Sequence, residues 1–304
     1  MTTIGLAITV RDGASTLDDA LASVEAQTRR PDAVVLVDDG STDGTAAVAD
    51  SWRGRLPLEI VSQANAGVAA GRTAAVSRLD TDLVLGLDAD DVWLPNHVER
   101  LGALQRERGG IAAPLALQWH PSSHRAERAD ELVATPPRDR SLASVLIMNW
   151  IFAGSLFERD AYDAVGGTFR FDGCEDWDLW LRLMRSGIAV HTLQQPTVRY
   201  RITPGSLSAD DRTLPMECRV LEAFIDETDD EHLRRTATRS LRHRHARQAL
   251  RRSYQLAADG ERWAARSAAL GTVNGPSNVR LRGFAMAVAP VHAARRRTEL
   301  RDRS

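Results

Sequence analysis

Three groups of carboxylates stand out in the chain: Asp38–Asp39, then Asp88–Ala89–Asp90–Asp91, and, well beyond the middle, Glu175–Asp176. Carboxylate oxygens are hard ligands that suit Mg²⁺ or Mn²⁺, ions that usually share their coordination shell with phosphate oxygens. The first two groups therefore suggest a divalent cation and a phosphate ester. Each group also has a plainer reading. Asp is common in turns, and acids such as Glu175 and Asp176 are favoured in the first turn of any helix. Other metal chemistry finds little support. Cys174 and Cys218 make neither a disulfide framework nor a zinc site, and Pro121 breaks the helical turn that would align His120 with His124.

The elements around these acids decide what they can do. Residues 4–10 (IGLAITV), 33–37 (AVVLV), 58–61 (LEIV) and 83–87 (LVLGL) read as buried strands, being short, apolar and rich in β-branched residues. Amphipathic or alanine-rich stretches at about 16–28, 44–52 and 66–79 read as the helices between them, with Asp43 as a cap for the second. Four strands alternating with helices predict an α/β fold whose central sheet is mainly parallel and covered on both faces. Ligands of such sheets bind at the carboxyl ends of the strands. Asp38–Asp39 and Asp88–Asp91 lie at such ends. Further along, 119–141 reads as a mobile loop, 144–157 as a short apolar segment, 175–186 as a helix and 196–200 as an edge strand. Residues 203–215 read as a turn-rich loop. Helices follow from about 216 to about 270, then a Gly/Asn/Pro break and a last helical piece.

With these segments in view, the sequence resembles the family 2 glycosyltransferases. The motifs run in order: AITVRDGASTLDDALASVEAQT at the start, VVLVDDGSTDGT (34–45), NAGVAAGR (65–72), LGLDADDVWLP (85–95), GSLFERDAYDAVGGTF (154–169) and EDWDLWLRL (175–183). The resemblance covers roughly residues 4–208 and implies a GT-A nucleotide-diphospho-sugar transferase fold. It implies an inverting transfer of a sugar from a nucleoside-diphosphate donor, commonly a UDP- or dTDP-sugar, to a hydroxyl acceptor, assisted by Mn²⁺ or Mg²⁺. Carried onto matching positions, Asp39 would bind the base, with Val10 and the loop after it closing over the ring. Arg72 would lie against the base or diphosphate, Asp88 would contact the ribose, and Asp90 would hold the metal. Asp176 would be the catalytic base, removing the acceptor's proton as its oxygen attacks. The acceptor side would be built by Trp150, Gly154, Ser155, Glu175 and Trp177. Many relatives carry a histidine after the late Tyr-Arg pair; here the segment is YRITPGSLS (200–208), with Thr203, a poor metal ligand, in its place. Two rival readings are a nucleotidyltransferase, which would want a richer phosphate loop than Val10–Ser15, and a catalytically weak sugar-nucleotide-binding protein of the same fold.

Composition bounds the rest. The 304 residues are 43% hydrophobic and 26% charged, ordinary values for a globular protein. All 39 basic residues are arginine. Residues 232–304 hold 17 arginines against four acids, a net +13, while the first 231 residues carry −15. This asymmetry divides the chain into a catalytic domain, 1–215, and an Arg-rich helical extension, 216–304. The catalytic domain in turn has a nucleotide-sugar half, about 1–95, and an acceptor half, about 96–215. In the extension, Leu233, Leu241 and Leu250 form a thin apolar side. Its basic helices suit an anionic membrane surface, whereas nothing in the chain resembles a nucleic-acid motif. No signal peptide or stretch of about 20 apolar residues is seen, so the expected location is cytoplasmic, with peripheral attachment to the inner face of the membrane.

Overall fold

In the computed structural model the described residues are 2–120, 131–202, 212–275, 278–280 and 282–283. The chain forms two compact units, Met1–Ser206 and Leu207–Ser304. In the first, β1 (Ile4–Val10), β2 (Ala33–Asp39), β3 (Leu58–Gln63) and β4 (Leu83–Asp88) alternate with α1 (Leu17–Glu25), α2 (Thr45–Ser51) and α3 (Val68–Arg78). The two-residue β5 (Val92–Trp93) and α4 (His97–Arg108) follow. Next come β6 (Ile111–Trp119), α5 (Leu142–Ile147), β7 (Phe157–Glu158), α6 (Arg159–Ala164), α7 (Glu175–Arg185) and β8 (Val190–Arg201).

The main sheet has the order β3-β2-β1-β4-β7. The first four strands are parallel and β7 closes one edge antiparallel to β4. The strand sequences follow from this placement. Central β1 carries no charge and buries every residue but Thr9, whereas edge strand β3 buries none fully. Each Leu, Ile or Val taken out of water contributes about 1.5–3 kcal/mol, so β1, β2 and β4 with α1 and α4 supply the core of this unit. Helix α3 lies close on the sheet: a Cβ at Gly71 would come within 2.3 Å of the Thr9 side chain.

A second sheet, β5-β8-β6, stands beside the first. It corrects one expectation, because residues 196–200 belong to the central strand, not an edge. Pro196 cannot donate to a ladder. It is tolerated because the β6–β8 pairing shifts register there, between Ala113, Leu115 and Ala116. The segment 121–130, within the stretch expected to be mobile and including His124, lies outside the described residues, as does Thr203.

The second unit is helical: α8 (Leu214–Glu227), α9 (Glu231–Ala258), α10 (Arg262–Leu270) and a 3₁₀ turn, Gly271–Asn274. Asp230 caps α9 by accepting from the backbone N–H groups of His232 and Leu233, the expected use of an N-cap aspartate. The buried side of α9 differs from the leucine stripe read in the sequence. Leu233 and Leu241 are half-buried, while Ala237, Ser240, Arg244, Ala246, Leu250, Ser253 and Ala257 face inward. Small residues win because α8 and α10 pack close against this helix. No described helix is long and apolar enough to cross a membrane.

Candidate active site

The loop leaving β1 and the turn leaving β2 are tied together at the carboxyl edge of the main sheet. Asp12, held at φ 50°, accepts from the Thr42 N–H at 2.7 Å, and its own N–H donates to Ser41 Oγ at 2.9 Å. Gly13 N–H donates to Thr45 Oγ1, Ala14 N–H donates to Asp43, and Ser41 N–H donates to Asp38. These bonds preorganise two adjacent loops. Val10 lies beneath them at 3% exposure. Its side chain supports the loop from the core and does not line an open face.

Asp39 is also buried, and its carboxylate accepts from Gln63 Nε2, Ala66 N–H and Gly67 N–H at 2.8–2.9 Å. It thereby pins the Asn65–Gly67 turn that launches α3. Gly67 sits at φ 94°, and a Cβ there would strike the Asp172 carboxylate at 2.3 Å. Asp172 in turn accepts from the Ala69 N–H at 2.8 Å, an anion at a helix start where free N–H groups and the dipole favour it. Asp172 was not singled out in the sequence. Its bond spans 103 positions, and only its place just before the Glu175–Asp176 pair hinted at it.

Arg72, on α3, draws the acidic groups together. Its guanidinium pairs with Asp88 at the end of β4 and with Glu175 at the start of α7, the latter at 3.3 Å. Arg72 and Glu175 are almost fully enclosed. Burial alone would depress the arginine's pKa, but the charges of Asp88, Glu175, Asp176 and Asp91 raise it overall. Glu175 also accepts from the Gly173 N–H at 2.8 Å. Its pKa is pushed up to about 7, chiefly by burial, with Asp176 adding to the rise and Arg72 opposing it.

A stability consequence follows. Folded Glu175 keeps its proton at pH values where an unfolded glutamate has lost it. The stability this confers is present at low pH and disappears as pH rises through the folded value. The urea midpoint of the ligand-free protein is expected to fall between about pH 5 and about pH 8, and Glu175→Gln should flatten that slope.

At the Asp88–Asp91 turn, the Asp90 carboxylate forms no ion pair among the described residues, its hydrogen bond coming from its own backbone N–H. Its pKa is pushed up to about 6 by burial and by Asp88. Asp91 is 1% exposed; Oδ1 accepts from the Arg201 N–H, while Oδ2 is buried without a partner. Burial, then Asp88 and Asp90, drive its pKa well up. Arg201 steadies this turn by donating Nε–H to the Asp90 carbonyl at 2.8 Å and a guanidinium N–H to Asp19 at 2.7 Å, while lying 4.2 Å over the Trp119 ring. No set of three or more His, Cys, Asp or Glu among the described residues is arranged to hold a metal ion. The residues nevertheless fit a hard cation: Asp90 is a half-buried oxygen donor with no ion-pair partner among the described residues, and Mg²⁺-like ions are commonly held by one or two carboxylates plus substrate phosphates.

Asp176, in the first turn of α7, is half-buried. Its carboxylate accepts from Asn149 Nδ2 at 3.1 Å and from the Trp177 N–H at 2.7 Å. Burial raises its pKa, Arg72 opposes that, and Asp88 adds to it. Asn149 is a second residue that sequence reasoning missed. Trp150 and Trp177, expected on the acceptor side, require a correction, and Trp180 is core beside them. Trp150, Trp177 and Trp180 are 4%, 2% and 1% exposed, and Trp150 and Trp177 give their N–H groups to Ser144 Oγ and the Val145 carbonyl. None offers a face for stacking on a sugar. Ser155 is likewise fully enclosed, with Oγ bonded to the Phe152 carbonyl. Gly154 lies where a Cβ would approach the Gly86 carbonyl at 3.0 Å. Both shape the floor beneath β4 instead of lining a pocket through their side chains.

Comparison with known proteins bears on the family and the fold. Residues 6–166 match the family described as Glycosyl transferase family 2. The succinoglycan biosynthesis protein ExoU of Rhizobium meliloti is 30% identical over 73% of this chain and 68% of its own length. The amylovoran biosynthesis glycosyltransferase AmsE of Erwinia amylovora is 29% identical over 62% and 71%. Among solved structures, S. aureus TarS 1–349 in complex with UDP-GlcNAc superposes with a TM-score of 0.65 over 96% of this chain and 89% of its own, at 14% identity. The mannosyltransferase PcManGT from Pyrobaculum calidifontis, in complex with GDP-Man and Mn²⁺, gives 0.63 over 98% and 83%, at 17% identity. The fold is therefore the GT-A fold that the motifs implied.

Proposed function

The chain belongs to glycosyl transferase family 2 and is a glycosyltransferase, and from that premise we propose an inverting, cation-assisted transfer with Asp176 as general base. The donor is a nucleoside-diphosphate sugar, for which UDP- and dTDP-sugars are the first candidates; the UDP-GlcNAc and GDP-Man complexes of the structural neighbours support the class. The acceptor is a hydroxyl group. Relatives named for amylovoran and succinoglycan biosynthesis favour a growing saccharide. The chemistry belongs to the catalytic domain, residues 1–215, with the Arg-rich helices after it as an extension.

One observation carries this reading. Arg72 joins Asp88 to Glu175 and lies in the field of Asp176, so acids from two distant stretches of chain share one cation from a third. Around that centre, the tied loops at Asp12 and Ser41 and the Asp39-pinned turn frame the nucleotide. Asp88 faces the ribose, and Arg72 balances the charge of the diphosphate. Asp176 takes the acceptor's proton while the acceptor oxygen bonds to the anomeric carbon from the face opposite the departing diphosphate. The bond from that carbon to the phosphate oxygen breaks with its electron pair on the nucleotide. Asp90 would hold Mn²⁺ or Mg²⁺, which when bound supplies Lewis-acid neutralisation of the diphosphate.

A thermal-shift panel of UDP-, dTDP- and GDP-sugars, with and without Mn²⁺, tests this. One donor class should raise the melting temperature in a cation-dependent way, since ligand at 100 times its dissociation constant stabilises by about 2.7 kcal/mol. Asp90→Asn should remove the cation-dependent part and leave a smaller nucleotide-dependent rise. No response to any nucleotide sugar would sink the proposal. A response without turnover would mark a binding protein instead.

A further inference from the structure

We propose that the outward face of α10 and the 3₁₀ turn after it, formed by Trp263, Leu270 and Val273, is a docking surface for an anionic lipid bilayer. The inference is independent of the transferase reading. Helix α10 is packed the opposite way from an ordinary amphipathic helix. It buries its small residues, Ala265 and Ala269, against Ala246, Leu250 and Ala257 of α9. Its large apolar residues point outward, Trp263 at 81% and Leu270 at 70% exposure, with Val273 at 68%. Trp263 and Leu270 are seven residues apart, two turns on one helix face. A solvated helix would gain by turning that face inward, so its outward position implies an apolar medium or partner.

The charge of these helices selects the partner. Residues 232–283 carry twelve arginines and only two acids, Asp259 and Glu261. Arg235, Arg239, Arg242, Arg247 and Arg252 on α9 are exposed, as are Arg280 and Arg282 just after the turn. An exposed tryptophan and leucine on a strongly basic group of helices, with the Arg266 guanidinium 5.2 Å from the Trp263 ring centroid, is the pattern that inserts at the headgroup boundary, with the cations drawn to anionic lipid. Tryptophan suits that depth because its ring is apolar and its N–H can stay wet. A protein partner or second copy would have to bring a strongly acidic rim. In this unit most acids lie on α8 and at the start of α9, and only Asp259 and Glu261 stand beside α10.

Tryptophan fluorescence of the full-length protein gives the readout. Trp52, Trp93, Trp150, Trp177 and Trp180 are buried and Trp119 is half-buried, so a vesicle-induced blue shift reports Trp263. With mixed phosphatidylglycerol–phosphatidylcholine vesicles we expect co-sedimentation, a blue shift and protection from acrylamide. High salt should weaken all three as the screening length falls from about 10 Å to about 3 Å. Pure phosphatidylcholine should bind at least about tenfold more weakly, and Trp263→Ser with Leu270→Ser should lose about tenfold on anionic vesicles. Trp263→Phe should bind normally yet lose the blue shift, which keeps the test decisive if the double variant misfolds. An unchanged nucleotide-sugar thermal shift in either variant separates docking from donor binding. The proposal is overturned if the wild type stays in the supernatant, or if the double variant binds vesicles as well as the wild type. It is also overturned if Trp263 is already shielded without vesicles, which would make the chain's own residues 284–304 or a second copy the occupant. An RNA oligonucleotide that binds the wild type and is lost in the double variant would overturn it in favour of nucleic acid.

Discussion

Asp176→Asn is expected to lower kcat by about 10²–10⁴-fold, the usual contribution of a positioned general base, while leaving donor affinity unchanged. The amide is isosteric with the acid: its oxygen can still accept from the Trp177 N–H, and its Nδ2 can donate to Asn149 Oδ1, now buried without a partner, once the Asn149 amide turns over, so the start of α7 should hold its shape. The pH profile sharpens the test. Burial, resisted by Arg72, lifts the Asp176 pKa above its ordinary value, and a base works only when ionised. The acid limb of kcat should therefore lie above the range of an ordinary aspartate, about 3.9, and should vanish in the variant. Stopped assays with the preferred donor from the thermal-shift panel would measure both. Turnover equal to the wild type would remove Asp176 from the chemistry.

Arg72→Ala carries the larger structural penalty. Glu175 is 5% exposed and depends on Arg72 for its counter-charge. Removing one partner of a buried ion pair costs about 3–5 kcal/mol, because the other charge is left without compensation. Protonation of Glu175, already raised to about 7, will absorb part of that cost, so the loss should be greater at pH 8 than at pH 6. The expected drop in melting temperature at the higher pH is roughly 10 °C, together with loss of the donor-dependent shift. Arg72→Lys should recover little, since a single ammonium cannot reach both Asp88 and Glu175 with the planar fork that two separate carboxylates require. A melting temperature within about 2 °C of the wild type in Arg72→Ala would show that the pairing is not structural.

Much of the frame was legible because apolar runs and their spacing report burial directly. The strand β1 reads as uncharged and β-branched for the same reason that it lies in the middle of a covered sheet. Parallel strands place their carboxyl ends on one side, so Asp38–Asp39 and Asp88–Asp91 could be assigned to one edge before any coordinates. The family motifs added Arg72 and Asp176 as site residues, roles that spacing alone does not supply. Residue 196 shows where this reading stops. A proline in a strand argues for an edge, and only the order β5-β8-β6 reveals that the strand carrying it has a neighbour on each side, with a register shift against β6 at the proline. The tryptophans show the same limit from the other side. The resemblance placed Trp150 and Trp177 on the acceptor side, although aromatic residues at helical spacing more often pack the core, and burial decided for core.

What the amino-acid order determined by itself was the alternation of elements, the edge on which acids collect, and the division between an acidic body and an arginine-rich end. Those are local properties, set by periodicity, turn chemistry and charge within a few residues. Tertiary structure alone decided which groups meet. Asp172 reaches the start of α3 across 103 positions and Arg201 reaches Asp90 across 111. Asn149 meets Asp176, and one arginine faces both Asp88 and Glu175. Such meetings depend on how helices and loops pack onto the sheet, and the burial that results, not residue type, moves the pKa values of Asp90, Glu175 and Asp176. The outward tryptophan of α10 belongs to the same class, since a helix sequence names its faces and only packing shows which one was left open.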